Sequence, residues 1–167
     1  MQLSIKKAEV DDCAIIRDLA SQIWGPTYQS ILSEEQLNYM FEMMYATDHI
    51  RQQMSEQGHQ YFIVYADQQP VGYLSIETSS NDTYIFQKIY ALPEFHGKGV
   101  GRYMFEQGVS YLKTIHPSPF TVELFVNRAN PAVGFYEHLG MRKTGTRDFD
   151  IGNGYFMNDY VMAMDIY

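Results

Sequence analysis

The amino-acid sequence predicts an α+β fold: a mostly antiparallel, twisted sheet of about seven strands flanked by about four to five helices, in one domain over residues 1–167. Three observations predict it. Apolar residues recur at helical spacing through most of the first third of the chain. A hairpin pattern follows from Tyr61 to Glu77, and past the middle a glycine-rich turn joins a strand to a helix.

Leu3 to Ala8 alternates as a strand does, and Asp11 or Asp12 caps a helix whose apolar stripe contains Ile15, Ile16, Leu19, Ala20 and Ile23. Gly25-Pro26 should stop it. Ser33-Glu34-Glu35-Gln36 is a capping-box opening for a second helix carrying Leu37, Met40, Phe41 and Met44, and Asp48 caps a third that ends at Gly58. Tyr61 to Ala66 and Val71 to Glu77 flank the turn Asp67-Gln68-Gln69-Pro70, and Thr83 to Ala91 supplies the next strand of an antiparallel meander. The glycine run then opens a helix through Leu112. Phe120 to Val126 is a strand and Pro131 to His138 a short helix; two strands, Met141 to Asp150 and Tyr155 to Ile166, close around Gly152-Asn153-Gly154.

Composition narrows the class. Across 167 residues, 46% hydrophobic and 15% aromatic content suffices for one substantial core. Twenty acidic against twelve basic residues give a net charge of −8, which argues against a nucleic-acid surface and favours cationic small molecules. One cysteine, Cys13, excludes an intrachain disulfide and points to a reducing compartment, and no Cys/His cluster has zinc spacing. No signal-peptide core or membrane-spanning run is present, so a cytoplasmic protein without a membrane partner is expected.

The run His96-Gly97-Lys98-Gly99-Val100-Gly101-Arg102 is the main chemical signal. Glycines leave backbone N–H groups unshielded, the helix that follows adds the positive end of its dipole, and Lys98 and Arg102 bring cations. A pyrophosphate or phosphorylated cofactor suits such a cradle. Neither a Walker A loop nor the dinucleotide fingerprint fits: no Ser/Thr follows a Gly-Lys, and Arg102 and Met104 stand where the fingerprint needs glycine. Taken alone, the run is equally consistent with a tight turn that binds nothing.

The second half is more specific. His96-x-x-Gly99-x-Gly101, followed after a strand by Phe135-Tyr136-Glu137-His138-Leu139-Gly140-Met141, resembles the GCN5-related N-acetyltransferases, whose acetyl-CoA loop reads Gln/Arg-x-x-Gly-x-Gly/Ala and whose later signature reads Phe-Tyr-Glu-x-x-Gly-Phe. The order of elements over essentially the whole chain agrees with that family's fold. Two departures stand out: His96 replaces the usual Gln or Arg, and Asn130 lies six residues before Tyr136 rather than seven, which leaves Asn127 as an alternative cofactor contact.

The resemblance implies acetyl-CoA as cosubstrate, bound by Gly97, Lys98, Gly99, Val100, Gly101 and Arg102, with the backbone around Ile89, Tyr90 and Ala91 holding the pantetheine arm and acetyl carbonyl. Tyr136 stands where the family places a tyrosine that donates to the leaving thiolate. An amine is protonated at neutral pH and must lose a proton before attacking a thioester. Glu123, which interrupts an apolar strand and faces away from Val122 and Leu124, is the leading candidate base. Glu77, Gln87 (through a water) and a water chain with no single base are others.

In this family the first helices and the last hairpin usually set specificity. Here Trp24, Tyr28 and Tyr39 face that role from one side and Phe149, Tyr155 and Phe156 from the other, with Glu77, Asp148, Asp150 and Asp159 offering negative charge. A Gln-Lys-x-Tyr strand ending and the Phe-Tyr segment resemble the bacterial spermidine and spermine acetyltransferase branch, which makes a polyamine-like amine the expected substrate. Protein or peptide N-acetylation and a non-catalytic acyl-CoA sensor are the alternatives, and a homodimer is compatible with the chain.

Overall fold

The computed structural model describes residues 1–167. In chain order the elements are β1 (Leu3–Lys7), α1 (Cys13–Tyr28), α2 (Glu34–Tyr45), α3 (Thr47–Ser55), β2 (Gln60–Ala66), β3 (Gln69–Ser80) and β4 (Thr83–Ala91). There follow α4 (Val100–Ile115), β5 (Phe120–Asn127), α5 (Ala132–Leu139), β6 (Arg142–Gly152) and β7 (Tyr155–Ile166), with short 3-10 turns at Val10–Asp12 and Pro93–Phe95. The seven strands form one sheet in the order β1-β2-β3-β4-β5-β7-β6, antiparallel throughout except between β4 and β5.

That one parallel junction opens the molecule. Its ladder joins Thr83 to Thr121, Tyr84 to Val122 and Ile85 to Glu123, then stops, while β4 runs on to Ala91 and β5 to Asn127. The two strands therefore separate toward their C-terminal ends. A β-bulge lies at the same level: Ser75 and Ile76 of β3 face Lys88 and Phe86, so Gln87 is the extra residue of β4.

Helices cover both faces. On one, Gly108 lets α4 approach closely, since a Cβ there would stand 2.9 Å from side-chain atoms of Leu74 and Phe86. Phe105 packs edge-on against Phe86, and Tyr111 against Phe62. On the other, α1 and α2 lay Trp24 and Tyr45 against Tyr73, each buried, with Trp24 Nε1 donating to the Tyr45 hydroxyl at 2.9 Å.

Several boundaries differ from the sequence expectation. Helix α1 passes through Gly25-Pro26 to Tyr28; Pro26 removes one donor near the end of the helix, but burial of Trp24 and Tyr28 on one face holds the last turn. Ala46, not Asp48, precedes α3, and its carbonyl accepts from His49 and Ile50. The β2–β3 turn is only Asp67-Gln68, both left-handed (φ 49° and 74°), so Gln69 and Pro70 pair within the ladder. Pro131 and Met141 flank α5 rather than belonging to the adjacent elements, and Gly140, at φ 107°, ends the helix.

Candidate active site

The glycine run is a backbone cradle. Gly97 and Gly99 adopt φ of 78° and 84°, a region that β-carbons disfavour, and this turns the loop into α4. The N–H groups of Gly97, Gly99, Val100, Gly101 and Arg102 donate to no protein acceptor, whereas Lys98 N–H bonds Phe95 O and Tyr103 N–H bonds Gly99 O. These free donors converge at the positive end of α4. The Val100 side chain points into the core, so only its main chain faces a ligand. The two loop cations lie outside: Lys98 stacks over Phe95, and Arg102 pairs with Glu106 at 3.6 Å. His96 ties the loop down, its Nε2 lying 3.0 Å from the carbonyl of Ala91.

Gly101 serves packing. A Cβ there would meet the Phe135 ring at 2.9 Å, so this glycine lets α5 lie against the first turn of α4. Phe135 in turn stacks on Tyr136, with ring centroids 5.4 Å apart. The two motifs that are 30-odd residues apart in sequence thus share one contact.

Along β4 the antiparallel alternation decides which groups face the open seam. Leu92 N–H donates to Val71 O, so in the regular ladder from Leu92 back to Lys88 the Tyr90 main chain bonds β3, and Ile89 and Ala91 turn their N–H groups the other way. Tyr90 contributes its side chain instead. Its hydroxyl lies 3.0 Å from that of Tyr28, and Tyr136 is buried beside them. Burial, then the neighbouring Tyr28 hydroxyl, pushes the Tyr136 phenol well up, so it stays protonated and available as a donor. Asn130 and Asn127 each fold back on the local chain, accepting from Ala132 N and Ala129 N at 2.9 Å.

Glu77, Ile85 and Glu123 share one row across β3, β4 and β5, on one face of the sheet. Glu123 is half-buried and makes no side-chain hydrogen bond or ion pair. Glu77 Oε2 accepts from Gln87 Nε2 at 2.5 Å and lies 3.4 Å from His59 Nε2. Sequence reasoning missed the two residues next to it, His59 and Lys88. Lys88 is 7% exposed, donates to Tyr61 and Gln53, and stacks over the Tyr45 and Tyr61 rings; burial alone lowers its ammonium pKa to about 7. Burial likewise lowers the His59 imidazole, opposed by Glu77 and reinforced by Lys88.

Beyond the mouth of the seam lies a cavity of about 540 Å³ between the chain following α1 and the β6–β7 turn. Gln36, Asn127, Asn158 and Tyr155 line it, and its one charged residue, Arg128, is neutralised by Asp148 at 2.5 Å. Gln36 Nε2 donates to Phe156 O at 3.1 Å and Tyr39 donates to Ile151 O at 2.8 Å, which clamps the hairpin onto α2. Of the residues expected to contact an acceptor, Tyr155 and Phe156 line this cavity. Trp24 lies in the core, and Tyr28 sits with Tyr90 and Tyr136 at the seam. The expected acidic residues are engaged within the protein: Asp159 with Arg147 at 3.3 Å, Asp148 with Arg128, and Asp150 with Gly152 N.

A separating parallel strand pair with free amides beside a phosphate-type cradle suits an extended ligand that carries a pyrophosphate at one end and a polarised carbonyl at the other, as an acyl-carrying transferase requires. The acetyltransferase (GNAT) domain family model matches residues 28–157, and the chain belongs to that family. It is 22% identical, over 81% of this chain and 84% of the relative, to spermidine N(1)-acetyltransferase of Thermoplasma acidophilum. Among solved structures, the PaiA N-acetyltransferase of Thermoplasma acidophilum in complex with coenzyme A superposes with a TM-score of 0.77 at 20% identity, covering 99% of this chain and 100% of that one. A Vibrio cholerae spermidine N-acetyltransferase SpeG chimera gives 0.71 at 22%, covering 98% and 95%. The protein is an N-acetyltransferase that uses acetyl-CoA as cosubstrate. None of its helices is long and apolar enough to cross a membrane.

Proposed function

We propose that this chain, a single acetyltransferase domain, acetylates a small primary amine, with polyamines the leading class, by direct attack on acetyl-CoA within a ternary complex. The observation that carries the reading is the seam beyond Ile85 and Glu123, where Ile89 and Ala91 present main-chain N–H groups to open space. Acetyl-CoA supplies an activated acetyl thioester there. The residues of the cradle bind its pyrophosphate through Gly97 and Gly99 to Arg102, and the β4 amides hold the acetyl carbonyl and stabilise negative charge that develops on its oxygen. Tyr136, with Tyr28 and Tyr90 packed beside it, donates to the departing sulfur. Because a thiol's pKa is about 8.5 and this phenol's is well above that, donation acts as a hydrogen bond that strengthens as charge builds.

The amine enters through the cavity bordered by Gln36, Tyr155 and Asn158, whose amides and ring face suit an amine without a fixed countercharge. The small-amine choice is supported by the names of the spermidine-acetylating relatives and by the net charge of −8. Thiol release from acetyl-CoA, measured with putrescine, spermidine, spermine, a monoamine and a short peptide with a free N-terminus, tests it. Amine-dependent release with a polyamine is expected; release with the peptide alone would overturn the small-amine reading.

A further inference from the structure

We propose that a second copy of this chain docks on the free edge of β6, continuing the sheet antiparallel about a two-fold axis at Thr146, and that this contact fixes the hairpin walling the acceptor cavity. The two edges of the sheet are built differently. β1 runs only from Leu3 to Lys7 and ends in Lys6 and Lys7, charges of one sign that repel a like strand. β6 runs from Arg142 to Gly152, and all of its residues but Arg147 and Ile151 are exposed. An open edge of that length is a template for a further strand.

The free main-chain groups of β6 lie in one row. Asn158 O accepts from Arg128 N, so Asn158 turns its main chain toward β5, and by alternation Met157 and Asp159 turn theirs toward β6. Phe149 and Arg147 stand opposite those two and bond them. Thr146, Asp148 and Asp150 therefore point N–H and C=O away from the sheet, with no strand beyond them.

Charge selects the occupant and its direction. Along β6 the cations Arg142 and Lys143 come first and the anions Asp148 and Asp150 last. Arg147, between them, is held within its own chain, Nε 3.3 Å from Asp159 and the guanidinium over the Phe125 and Phe149 rings. A parallel copy would set like charge against like. An antiparallel copy centred on Thr146 sets residues 142–143 of each chain against 148–150 of the other and joins the two Thr146 main chains. The extra residue between Lys143 and Gly145 shifts this by one position, which keeps the cations beside the acidic stretch. Both ends stay accessible: the Arg142 side chain is 60% exposed and that of Asp148 62%, although each has an ion-pair partner in its own chain. Phe149, 50% exposed, gains cover in the same contact. The contact also reaches the acceptor cavity, because Asp148 neutralises Arg128 there and the β6–β7 turn supplies Gly154, Tyr155 and Phe156 to its wall.

Sedimentation velocity from about 1 to 200 µM tests the contact, and the mass is expected to rise from one chain to two over that range. Thr146→Pro removes an N–H that bonds nothing within the single chain and blocks the shared ladder, so it should stay at one chain throughout. A chain carrying Arg142→Glu with Lys143→Glu is acidic at both ends of β6, and one carrying Asp148→Lys with Asp150→Lys is basic at both. Each alone should associate at least about tenfold more weakly than wild type, because the two-fold axis counts every pair twice, and an equimolar mixture should recover the two-chain mass. Wild type that stays at one chain to about 200 µM, or Thr146→Pro or either charge variant alone that associates as wild type does, would overturn the contact. Its effect on the cavity rests on the acetyltransferase reading: the amine KM of Thr146→Pro should lie about threefold above that of the paired wild type, with calorimetric acetyl-CoA affinity within about twofold. Equal KM values would overturn that effect. Wild-type protein that turns over no amine would sink the acetyltransferase reading and the effect with it, while the masses still decide the contact.

Discussion

The two sides of the β4–β5 seam are built from different materials. On the proposed cofactor side the groups left open for a ligand are main-chain amides of Gly97 and of Gly99 to Arg102, and of β4, while the Lys98 and Arg102 side chains stay at the surface. On the proposed acceptor side the cavity is assembled from the chain after α1, from α2, from the end of β5 and from the β6–β7 turn, held together by hydrogen bonds such as Gln36 to Phe156 and Tyr39 to Ile151. Most side-chain substitutions leave the main-chain path in place, so cofactor affinity should tolerate the majority of them, glycine changes excepted. Acceptor choice depends on a few long-range contacts, and it should be the property that substitutions shift first.

The strongest blow to the cofactor side is Gly99→Val. A β-branched residue at φ 84° costs about 1–3 kcal/mol of strain, and relief of that strain would re-aim the free amides. We expect acetyl-CoA affinity to fall at least about tenfold by calorimetry; unchanged affinity would mean that the cradle is not made of backbone. Between the two sides, Lys88→Met probes the buried polar cluster. The folded-state pKa of Lys88, about 7, lies below its ordinary 10.5, so from pH 7 to 10.5 the unfolded chain holds the extra proton and wild-type stability rises with pH. Urea unfolding should therefore show Lys88→Met gaining most over wild type near pH 7, up to about 4 kcal/mol, with the gain fading toward pH 10. A difference independent of pH would show that the lysine is charged in the native state. On the acceptor side, Tyr39→Phe removes the hydrogen bond to Ile151, worth about 1 kcal/mol, and should raise the amine KM about fivefold while leaving acetyl-CoA affinity alone. Equal changes in both constants would erase the distinction between the sides.

The same division explains what could be read in the chain. Hydrophobic spacing placed the strands and the first two helices, a cap signal the third and the glycine run α4, and the cradle was legible because its donors lie in one short stretch. Boundaries failed where tertiary burial overrode a local signal, as at Pro26, or where a tight turn used Asp67 and Gln68 without glycine. Of the cluster around Glu77 only Glu77 and Gln87 were legible as candidates, because Gln53, His59 and Lys88 are brought in from α3, from the chain just before β2 and from the far side of the β4 bulge. The bulge adds a further obstacle: simple alternation puts Lys88 on the face of Phe86, against α4, whereas the extra residue turns it to Tyr45 and Tyr61 on the opposite face. An unexpected lysine in an apolar strand was the one available signal. Likewise, Asp148 and Asp159 read as charges for a substrate until cross-strand packing supplied Arg128 and Arg147.

The central claim is that chemistry happens at the seam beside Tyr136, while acetyl-CoA is held by backbone elsewhere. The direct test is Tyr136→Phe, measuring kcat by thiol release and acetyl-CoA affinity by calorimetry on the same preparation. The account predicts a kcat loss of about 100-fold with affinity within about twofold, since only the donor hydroxyl is removed and the ring still packs on Phe135. An unchanged kcat, or a loss matched by an equal loss of affinity, would contradict it.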